Sequence, residues 1–504
     1  MGTPIPPNRA RFTLGEVCEL TAGSFLGPVP DEHAHIVGVS TDTRTLAPGQ
    51  AFVAIAGETH DGHQHLGEAA RAGAALVLVE REHPLAAPGS VPVLCVASTL
   101  AALGALGARH VARWRALGGD RRVVAITGSA GKTTTRQLCV ALLDALEPGH
   151  VHATRGNLNN LIGVPMVALG LDPEHRLAVL ELGTNRPGEI ATLAAQVEPD
   201  LGLVTLVAAA HGEGLGDIEH VAIEKISLFG RLGREGIAIG NGDDPRVAAG
   251  LATCPARRRI RYGFGAELDI RIAERRLTGP SSSRVVLERL DGSRLEAELP
   301  LLGRAGALGF AAAVAVCESL LGRTLSAEQV ASALAGSAEE GEAGRLRPCT
   351  LPDGVVLIDD SYNSNPASCR ASIAAAAEVA AYLGRELVLV LGEMRELGLV
   401  AESEHQAVGR EAAGVGARAL IAVGGLAELV AREARRSGLD ACFVPDAAEG
   451  ARVALAEVRP GDVVLVKGSR GVRTEQVARA LCAAHGGCAA VAAAGRSPGR
   501  EQAS

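Results

Sequence analysis

The sequence has few aromatic residues. Phe, Trp and Tyr make up 2% of its 504 residues, so any hydrophobic core must be built mainly from Ala, Val and Leu. Hydrophobic residues reach 47% and charged residues 21%, proportions that are typical of a soluble globular protein. A chain of this length can form roughly three domains, each with a core of its own.

Several other features are absent. The ten cysteines show no C-x-x-C spacing and no paired spacing with histidine, which favours buried thiols in a reducing compartment. The amino terminus lacks an apolar core of signal-peptide length, and no run approaches the roughly 18 apolar residues of a membrane helix. The net charge of −8 offers no basic surface for nucleic acid. We therefore expect a cytoplasmic protein with no membrane and no nucleic-acid partner.

The chemistry is centred on RVVAITGSAGKTTT, residues 122–135. An apolar run predicts a buried strand, a glycine-rich loop follows, and a helical pattern begins near Lys132. Backbone N–H groups of such a loop and the positive end of the helix can hold a polyphosphate. Lys132 is then expected to reach the β and γ phosphates and Thr133 to bind Mg²⁺. The predicted ATP-binding residues here are Gly128, Ser129, Ala130, Gly131, Lys132, Thr133 and Thr134.

The loop departs from the usual phosphate-loop pattern. Ile126 stands where that pattern has its first glycine, so only the shorter G-x-x-G-K-T is present. The alternative is an ordinary glycine-containing turn with an exposed lysine. The order of strand, glycines, lysine, hydroxyls and helix favours the phosphate site.

Three further polar positions follow predicted strands or lie near them. Glu181 ends the run 177–180, where a parallel sheet places ligands, and its alternative role is to cap the helix that starts near Gly188. His211 follows the run 203–207, and Lys225 lies in a helical stretch from 218 to 228. Taken alone, such a histidine is usually structural and such a lysine is usually solvated.

The pattern divides the chain into three α/β domains and a tail. We predict an N-terminal domain over 1–110, a central domain over 111–324, a C-terminal domain over 325–486 and a flexible tail over 487–504. The first contains a strand at 36–39 followed by polar turns. The second is a P-loop ATPase-like parallel sheet with an antiparallel meander between 260 and 300. The third is Rossmann-like, with strands at 355–358, 386–391 and 463–466.

Six motifs, in this order, resemble those of the Mur ligase family. They are TGSAGKTTT, RGNLNNLIGVP, LELGTNRPGEI, DDSYNSNPAS, LGEMRELG and VLVKGSRGVR, and the N-terminal TDTRTLAPGQAFVAIAGETHDGHQ is similar to the family's first domain. The resemblance covers about residues 12–480. Within the family, the motifs are most similar to those of the ligases that add D-alanyl-D-alanine.

The resemblance implies a cytoplasmic step of peptidoglycan precursor synthesis by a monomer. ATP would phosphorylate the terminal carboxylate of UDP-N-acetylmuramoyl-tripeptide, and the amine of D-alanyl-D-alanine would attack the acyl phosphate. Because a carboxylate and ATP are both anions, the protein must supply cations and hold the reacting groups in line.

The resemblance also assigns roles to residues. Lys132, Glu181, His211 and Lys225 would be catalytic, with two Mg²⁺ sites held by Thr133 and Glu181 and by His211 and Lys225. It further implies that Lys225 is carbamoylated, which turns its cation into a metal-binding carboxylate. The remaining ATP contacts would be Arg345, Asp360, Tyr362 and Asn363, and the substrate contacts would be Asp42, Thr43, Arg44, Asn159 and Asn160.

Some positions depart from the family pattern. Ala305 and Gly306 stand where His-Asn is usual, so the expected adenine contact is missing, Leu206 replaces an Asn, and Glu393 replaces an Asp. Two alternatives therefore remain open. One is a sister ligase that adds the third amino acid, although its members usually carry a histidine in the stretch 362–366. The other is a nucleotide-binding module without ligation.

Overall fold

The computed structural model describes residues 3–27, 31–57, 60–80, 91–209, 212–337 and 344–487. Within these ranges the strands form sheets of two, five, nine and six strands. The fold is mixed α/β with three large, mostly parallel sheets, as the sequence predicts.

The N-terminal part carries the two-stranded and five-stranded sheets. Its strands are β1 (Arg11–Thr13), β2 (Ser24–Leu26), β3 (His35–Val37), β4 (Val39–Ser40), β5 (Ala51–Val53), β6 (Leu76–Glu80) and β7 (Val93–Val96). Its helices are α1 (Leu14–Thr21), α2 (Leu66–Arg71) and α3 (Thr99–Ala116), with a 3-10 turn at Gly62–His65. The five-stranded sheet has the order β2-β7-β6-β5-β4, and β2 is its antiparallel edge.

The predicted single strand at 36–39 is wrong. Gly38 has a φ of +94°, a conformation that favours glycine, and it divides the run into β3 and β4. β3 pairs antiparallel with β1, whereas β4 pairs parallel with β5 in the other sheet. A four-residue apolar run carries no signal for such a division.

The central part is organised around a nine-stranded sheet. Its strands are β8 (Arg122–Thr127), β9 (Val151–Ala153), β10 (Leu177–Glu181), β11 (Leu201–Val204), β12 (Ile237–Asn241), β13 (Arg258–Gly263), β14 (Ile270–Gly279), β15 (Ser282–Arg289) and β16 (Arg294–Leu299). The helices are α4 (Lys132–Leu146), α5 (Gly163–Leu169), α6 (Glu189–Val197), α7 (Gly212–Leu215), α8 (Ile218–Ile226), α9 (Pro245–Thr253) and α10 (Gly303–Leu321), with a 3-10 turn at Phe229–Arg231. The strand order is β16-β15-β14-β13-β12-β11-β8-β10-β9, and the predicted meander is its antiparallel end.

Strand β8 is buried on both faces, which explains its continuous apolar sequence. Val124 and Ile126 pack in the core that contains α4 and α10. Val123 and Ala125 point to the opposite core, which contains α5 and α6. The carboxyl end of β8 is therefore fixed between two helical layers.

Helix α10 is the one helix of the described chain whose length and composition would suit a membrane crossing. In this structure 67% of that apolar window is buried inside the protein. It packs in the same core as α4 and β8. Its hydrophobicity is accounted for by core packing.

The C-terminal part carries the six-stranded sheet. Its strands are β17 (Arg347–Thr350), β18 (Val356–Asp360), β19 (Leu387–Gly392), β20 (Ala419–Val423), β21 (Ala441–Val444) and β22 (Val463–Lys467). Its helices are α12 (Pro366–Leu383), α13 (Ala401–Ala413), α14 (Ala427–Arg436), α15 (Ala447–Glu457) and α16 (Glu475–Ala484), with 3-10 turns at Gly398–Val400 and Arg470–Val472. Helix α11 (Ala327–Ser337) precedes them and packs in the central core with α4, through Val330, Ala333 and Leu334. The order is β17-β18-β22-β19-β20-β21, and β17 is antiparallel.

Three of these six strands are absent from the sequence prediction. β20 and β21 are apolar segments of five and four residues between Ala-rich helices, and periodicity does not separate such short runs from helix. Of the cysteines in the described ranges, six are buried and form no disulfide, as expected, whereas Cys18 and Cys442 are only partly buried and Cys349 is disulfide-bonded.

Candidate active site

The phosphate loop joins β8 to α4. Gly128 has a φ of +145°, and a Cβ there would overlap the hydroxyl of Thr205, which follows β11. That hydroxyl donates to the carbonyl of Ala130 at 2.6 Å, and the N–H of Ser129 donates to the carbonyl of Leu206 at 2.8 Å. The loop is thus held in place by the end of the neighbouring strand.

Lys132 is the first residue of α4. Its Nζ donates to the carbonyl of Gly128 at 2.6 Å, so the amine lies over its own loop. Burial lowers the pKa of Lys132, and the charge of Arg345 lowers it further, while Glu181 acts in the opposite direction. An anion at this position would relieve the repulsion between the two cations.

Glu181, at the carboxyl end of β10, is buried and fully engaged. Its Oε2 accepts from the hydroxyl of Thr133 at 2.9 Å, and its Oε1 accepts from Nδ2 of Asn159 at 2.9 Å. Arg136 lies one turn after Lys132 on α4, with its Nε 3.5 Å from Glu181 Oε2. The structure therefore joins a carboxylate, a hydroxyl and an amide that the sequence placed in three separate motifs.

The alternative role of Glu181 as a helix cap is wrong. The carboxylate that serves the start of α6 belongs to Glu224 on α8, which is 4% exposed. It accepts from the N–H of Gly188 at 2.6 Å and from the N–H of Ile190 at 2.8 Å. Glu181 instead accepts a hydrogen bond from Thr133 beside the phosphate loop.

Lys225 is on α8 and has 0% exposure, so its interpretation as a solvated helix lysine is also wrong. Among the described residues, nothing accepts a hydrogen bond from its Nζ. Burial holds the pKa of Lys225 well below its usual value, and the charge of Lys132 adds to the effect. A buried amine without a partner is costly as a cation. His211 lies outside the described residues.

The C-terminal part contributes a cationic and aromatic cluster. The guanidinium of Arg345 lies 4.0 Å from the ring centre of Tyr362, and that of Arg470 lies 5.3 Å from it. Lys467, at the end of β22, donates to Asp360 Oδ2 at 2.5 Å and to the Asn363 carbonyl at 3.0 Å. The four ATP-contact candidates of this part therefore lie close to one another.

The cluster meets the phosphate loop directly. Asn365 caps α12 through its Oδ1, and its Nδ2 donates to the carbonyl of Ser129 at 3.1 Å. Between the two parts lies a cavity of about 310 Å³ whose lining includes Ser129, Lys132, Asn365, Arg395 and Arg470. It is the place where a polyphosphate on the loop would meet the C-terminal part.

The substrate-contact candidates behave differently from one another. Asn159 joins Glu181, whereas Asn160 accepts from the N–H groups of Ile162 and Gly163 and so serves the start of α5. Asp42 and Arg44 form an ion pair at 2.6 Å, and the Arg44 side chain is 85% exposed. Thr43 donates to Glu68 at 3.1 Å. Within the described residues, no hydrogen bond or ion pair joins 42–44 to the phosphate loop.

The first turn of α10, where the resemblance implied an adenine contact, carries Arg304. Its guanidinium lies 3.7 Å from the ring centre of Phe264, which follows β13. Ala305 and Gly306 come next in the same turn. The stacked guanidinium of Arg304 and ring of Phe264 therefore lie next to Ala305 and Gly306, the two positions that differ from the family pattern.

Sequence reasoning missed Arg136, Asn365, Arg395 and Lys467. Arg136 is four residues after Lys132, a spacing that puts both on one helix face. Asn365, Arg395 and Lys467 lie in the motifs DDSYNSNPAS, LGEMRELG and VLVKGSRGVR, but their positions in the site depend on contacts between distant motifs. No local pattern gives those contacts.

Comparison with known proteins gives one consistent result. Three family models match the chain, described as Mur ligase family, catalytic domain over 35–111, Mur ligase middle domain over 126–317, and Mur ligase, glutamate ligase domain over 344–470. The UDP-N-acetylmuramoyl-tripeptide–D-alanyl-D-alanine ligase of Escherichia coli strain K12 is 36% identical over 93% of this chain and 98% of its own length.

Solved structures of Mur ligases are also similar to this chain. A crystal structure of MurF from Acinetobacter baumannii has a TM-score of 0.81 and 30% identity, and it covers 95% of this chain and 99% of that one. The MurF ligase of Thermotoga maritima in complex with ADP has a TM-score of 0.74 and 25% identity, with 88% of this chain and 96% of that one covered.

Proposed function

The chain belongs to the Mur ligase family, and we propose that it is the ATP-dependent ligase that joins D-alanyl-D-alanine to UDP-N-acetylmuramoyl-tripeptide. The observation that carries the proposal is the cluster around the phosphate loop, in which Thr133 and Asn159 both donate to Glu181 beside Lys132. This cluster combines phosphate binding with an anionic oxygen site, as phosphoryl transfer requires.

The reaction has two steps. The terminal carboxylate of the tripeptide attacks the γ phosphorus of ATP, and ADP leaves as an acyl phosphate forms. The amine of the dipeptide then attacks the acyl carbon, and phosphate leaves as the amide bond forms. Lys132 would offset the negative charge of the phosphates, and the backbone N–H groups of 128–131 would hold them in line.

The residues present fit Mg²⁺. Thr133 and Glu181 offer a hydroxyl and a carboxylate within 2.9 Å of each other, and oxygen ligands of this kind suit magnesium. When bound, the ion neutralises phosphate charge. A second site would use His211 and a carbamoylated Lys225, in which the amine nitrogen bonds the carbon of CO2 and releases a proton. The buried Nζ, which has no acceptor among the described residues, supports this modification, because carbamoylation would convert an unfavourable cation into a ligand.

The remaining roles are also proposals. Arg345, Asp360, Tyr362 and Asn363 would face ATP, and 42–44 together with Asn159 and Asn160 would hold the UDP-sugar substrate. Arg304 on Phe264 is the described feature that could replace the missing adenine contact. We assign the domains to 1–110, 111–324 and 325–486, with a tail after 486, and place the reaction in the cytoplasm by a monomer.

The test is substrate dependence. Purified protein with Mg²⁺, ATP and UDP-N-acetylmuramoyl-tripeptide should release phosphate only when D-alanyl-D-alanine is added. Diaminopimelate and lysine forms of the tripeptide should be compared, because the third residue is a separate question. Equal release without the dipeptide, or none with it, would defeat the proposal in favour of a sister ligase or a nucleotide-binding module.

A further inference from the structure

The cavity between the phosphate loop and the C-terminal part contains a cation with spare hydrogen-bond donors. Arg395, three residues after β19, lines this cavity together with Lys132 and Arg470. Glu396 is the acidic residue on the same lining, so three cations share it with one carboxylate. A site with this balance of charge attracts an anion.

Arg395 is held from two sides. Its backbone N–H donates to Ser469 Oγ at 2.9 Å, and its Nε donates to Glu393 Oε2 at 3.0 Å. The second carboxylate oxygen of Glu393 accepts from the N–H of Leu426 at 3.1 Å, which anchors the carboxylate to the start of α14. The side chain is thus tethered at Nε, close to its guanidinium end.

The terminal nitrogens of Arg395 have no acceptor among the described residues, and the side chain is 53% exposed. Gly471 leaves room for them, because a Cβ at that position would overlap Nη1. An arginine fixed through Nε presents its other donors in a planar fork, a geometry that matches a phosphate or a carboxylate.

We propose that Arg395 binds an oxyanion of the reacting substrates in this cavity and so determines their affinity. The proposal rests on the proposed function, which supplies three sources of oxyanion. They are the phosphoryl group carried by ATP, the terminal carboxylate of the tripeptide and the carboxylate of D-alanyl-D-alanine. Lys132 on the same lining favours the phosphoryl group.

The experiment compares Arg395→Ala with Arg395→Lys in the full-length protein. Arg452→Ala is the matched control, because Arg452 is an exposed arginine paired with Glu449 on α15. We expect Arg395→Ala to lower kcat/KM by about tenfold to 100-fold, the control to stay at the wild-type value, and the unfolding temperature to stay constant in both. Lysine should restore only part of the loss, since it lacks the fork.

The kinetic constants distinguish the sources. A higher KM for ATP or a lower kcat identifies the phosphoryl group. A higher KM for D-alanyl-D-alanine, with lost discrimination against its C-terminal amide, identifies the carboxylate of the dipeptide. A higher KM for the tripeptide alone identifies the tripeptide carboxylate. Values of kcat/KM within about twofold of wild type for all three substrates overturn the proposal.

Gly471→Ala provides an independent check. The added methyl group should displace the guanidinium and weaken the same constant, and it should add little in the Arg395→Ala background. Equal losses in both backgrounds would count against the proposal. If phosphate release by the wild-type protein does not require the dipeptide, the proposed function fails. Calorimetric titration with ATP alone then tests the role of Arg395 independently. Weaker ATP binding by Arg395→Ala then supports the proposal, and unchanged binding overturns it.

Discussion

Two lysines in this protein are equally buried and have opposite surroundings. Lys467 and Lys225 are 1% and 0% exposed. Lys467 Nζ donates to the carboxylate of Asp360 and to the carbonyl of Asn363, whereas Lys225 Nζ has no acceptor among the described residues. A buried cation with a carboxylate partner contributes to a defined structure, and one without a partner is unfavourable unless something else changes its charge.

The third lysine of the sequence extends this contrast. Lys132, Lys225 and Lys467 are the only lysines among 49 basic residues, and all other cations are arginines. Among the described residues, Lys132 Nζ bonds a single backbone carbonyl, that of Gly128 in its own loop. Its amine therefore has donors left for a ligand, so a substitution of Lys132 should lower turnover, as a substitution of Lys225 should.

Lys132→Ala should produce the largest change. We expect turnover to fall by about 10³-fold, because the γ phosphate loses the cation that offsets its charge. Phosphate release at saturating substrates measures the effect, and the unfolding temperature checks that the protein is intact. Turnover near the wild-type rate would show that the mechanism proposed for this loop is wrong.

Lys225→Ala should lower turnover by about 100-fold, as expected for the loss of support to a metal site. Formate or acetate should restore part of the activity, because a small carboxylate can occupy the space left by a carbamate. The activity of Lys467→Ala should not be restored by formate or acetate. Full activity of Lys225→Ala without added acid, or equal rescue of both variants, would remove the distinction between the two lysines.

Substitution by methionine should change the free energy of unfolding differently at Lys467 and at Lys225. Lys467→Met leaves Asp360 without its cation and should destabilise the protein by about 3 kcal/mol. Lys225→Met removes a buried amine that has no acceptor in the described part of the chain, and it should be neutral or stabilising by about 1 kcal/mol. Urea unfolding without Mg²⁺ and bicarbonate measures both. A recovery in Lys467→Met with Asp360→Asn would confirm that the lost ion pair is the cause, and a similar cost at both positions would contradict the comparison.

The surroundings of Lys132 could be predicted from the sequence better than those of Lys225. The phosphate loop was predicted from local order alone, because strand, glycines, lysine and helix are contiguous. Glu181 was placed correctly at the end of β10 because a parallel sheet puts strand ends at one edge. The environment of Lys225 was not predictable from the residues, since a helix lysine becomes buried only through tertiary packing.

The C-terminal contacts were the least predictable. The bond between Asn365 and Ser129 joins residues 236 positions apart, and the ion pair of Lys467 with Asp360 joins residues 107 apart. Likewise, the division at Gly38 depends on which sheet each half of the run joins. Pairings of this kind depend on the packing of whole layers, which local periodicity does not encode.

An effect smaller than that of Lys467→Met is expected at a partly buried base that, like Lys225, bonds no anion among the described residues. His152 Nε2 hydrogen-bonds the carbonyl of Val167 at 2.7 Å, and its ring lies 4.8 Å from that of His175. Burial lowers the pKa of His152 to about 4, with the charges of His175 and Arg155 acting in the same direction and Asp172 opposing them.

The unfolded chain therefore binds a proton at His152 between pH 6.5 and 4 that the folded protein rejects, so stability is present above this window and falls as the pH is lowered through it. We expect a loss of about 2 kcal/mol from this residue between pH 7.5 and pH 5. Urea unfolding at the two pH values should show a smaller loss in His152→Gln, whereas the same substitution at the exposed His33 should leave the loss unchanged. An equal pH dependence in wild type and His152→Gln would mean that the partly buried ring accepts its proton without cost, and the contrast between Lys225 and Lys467 would not extend to histidine.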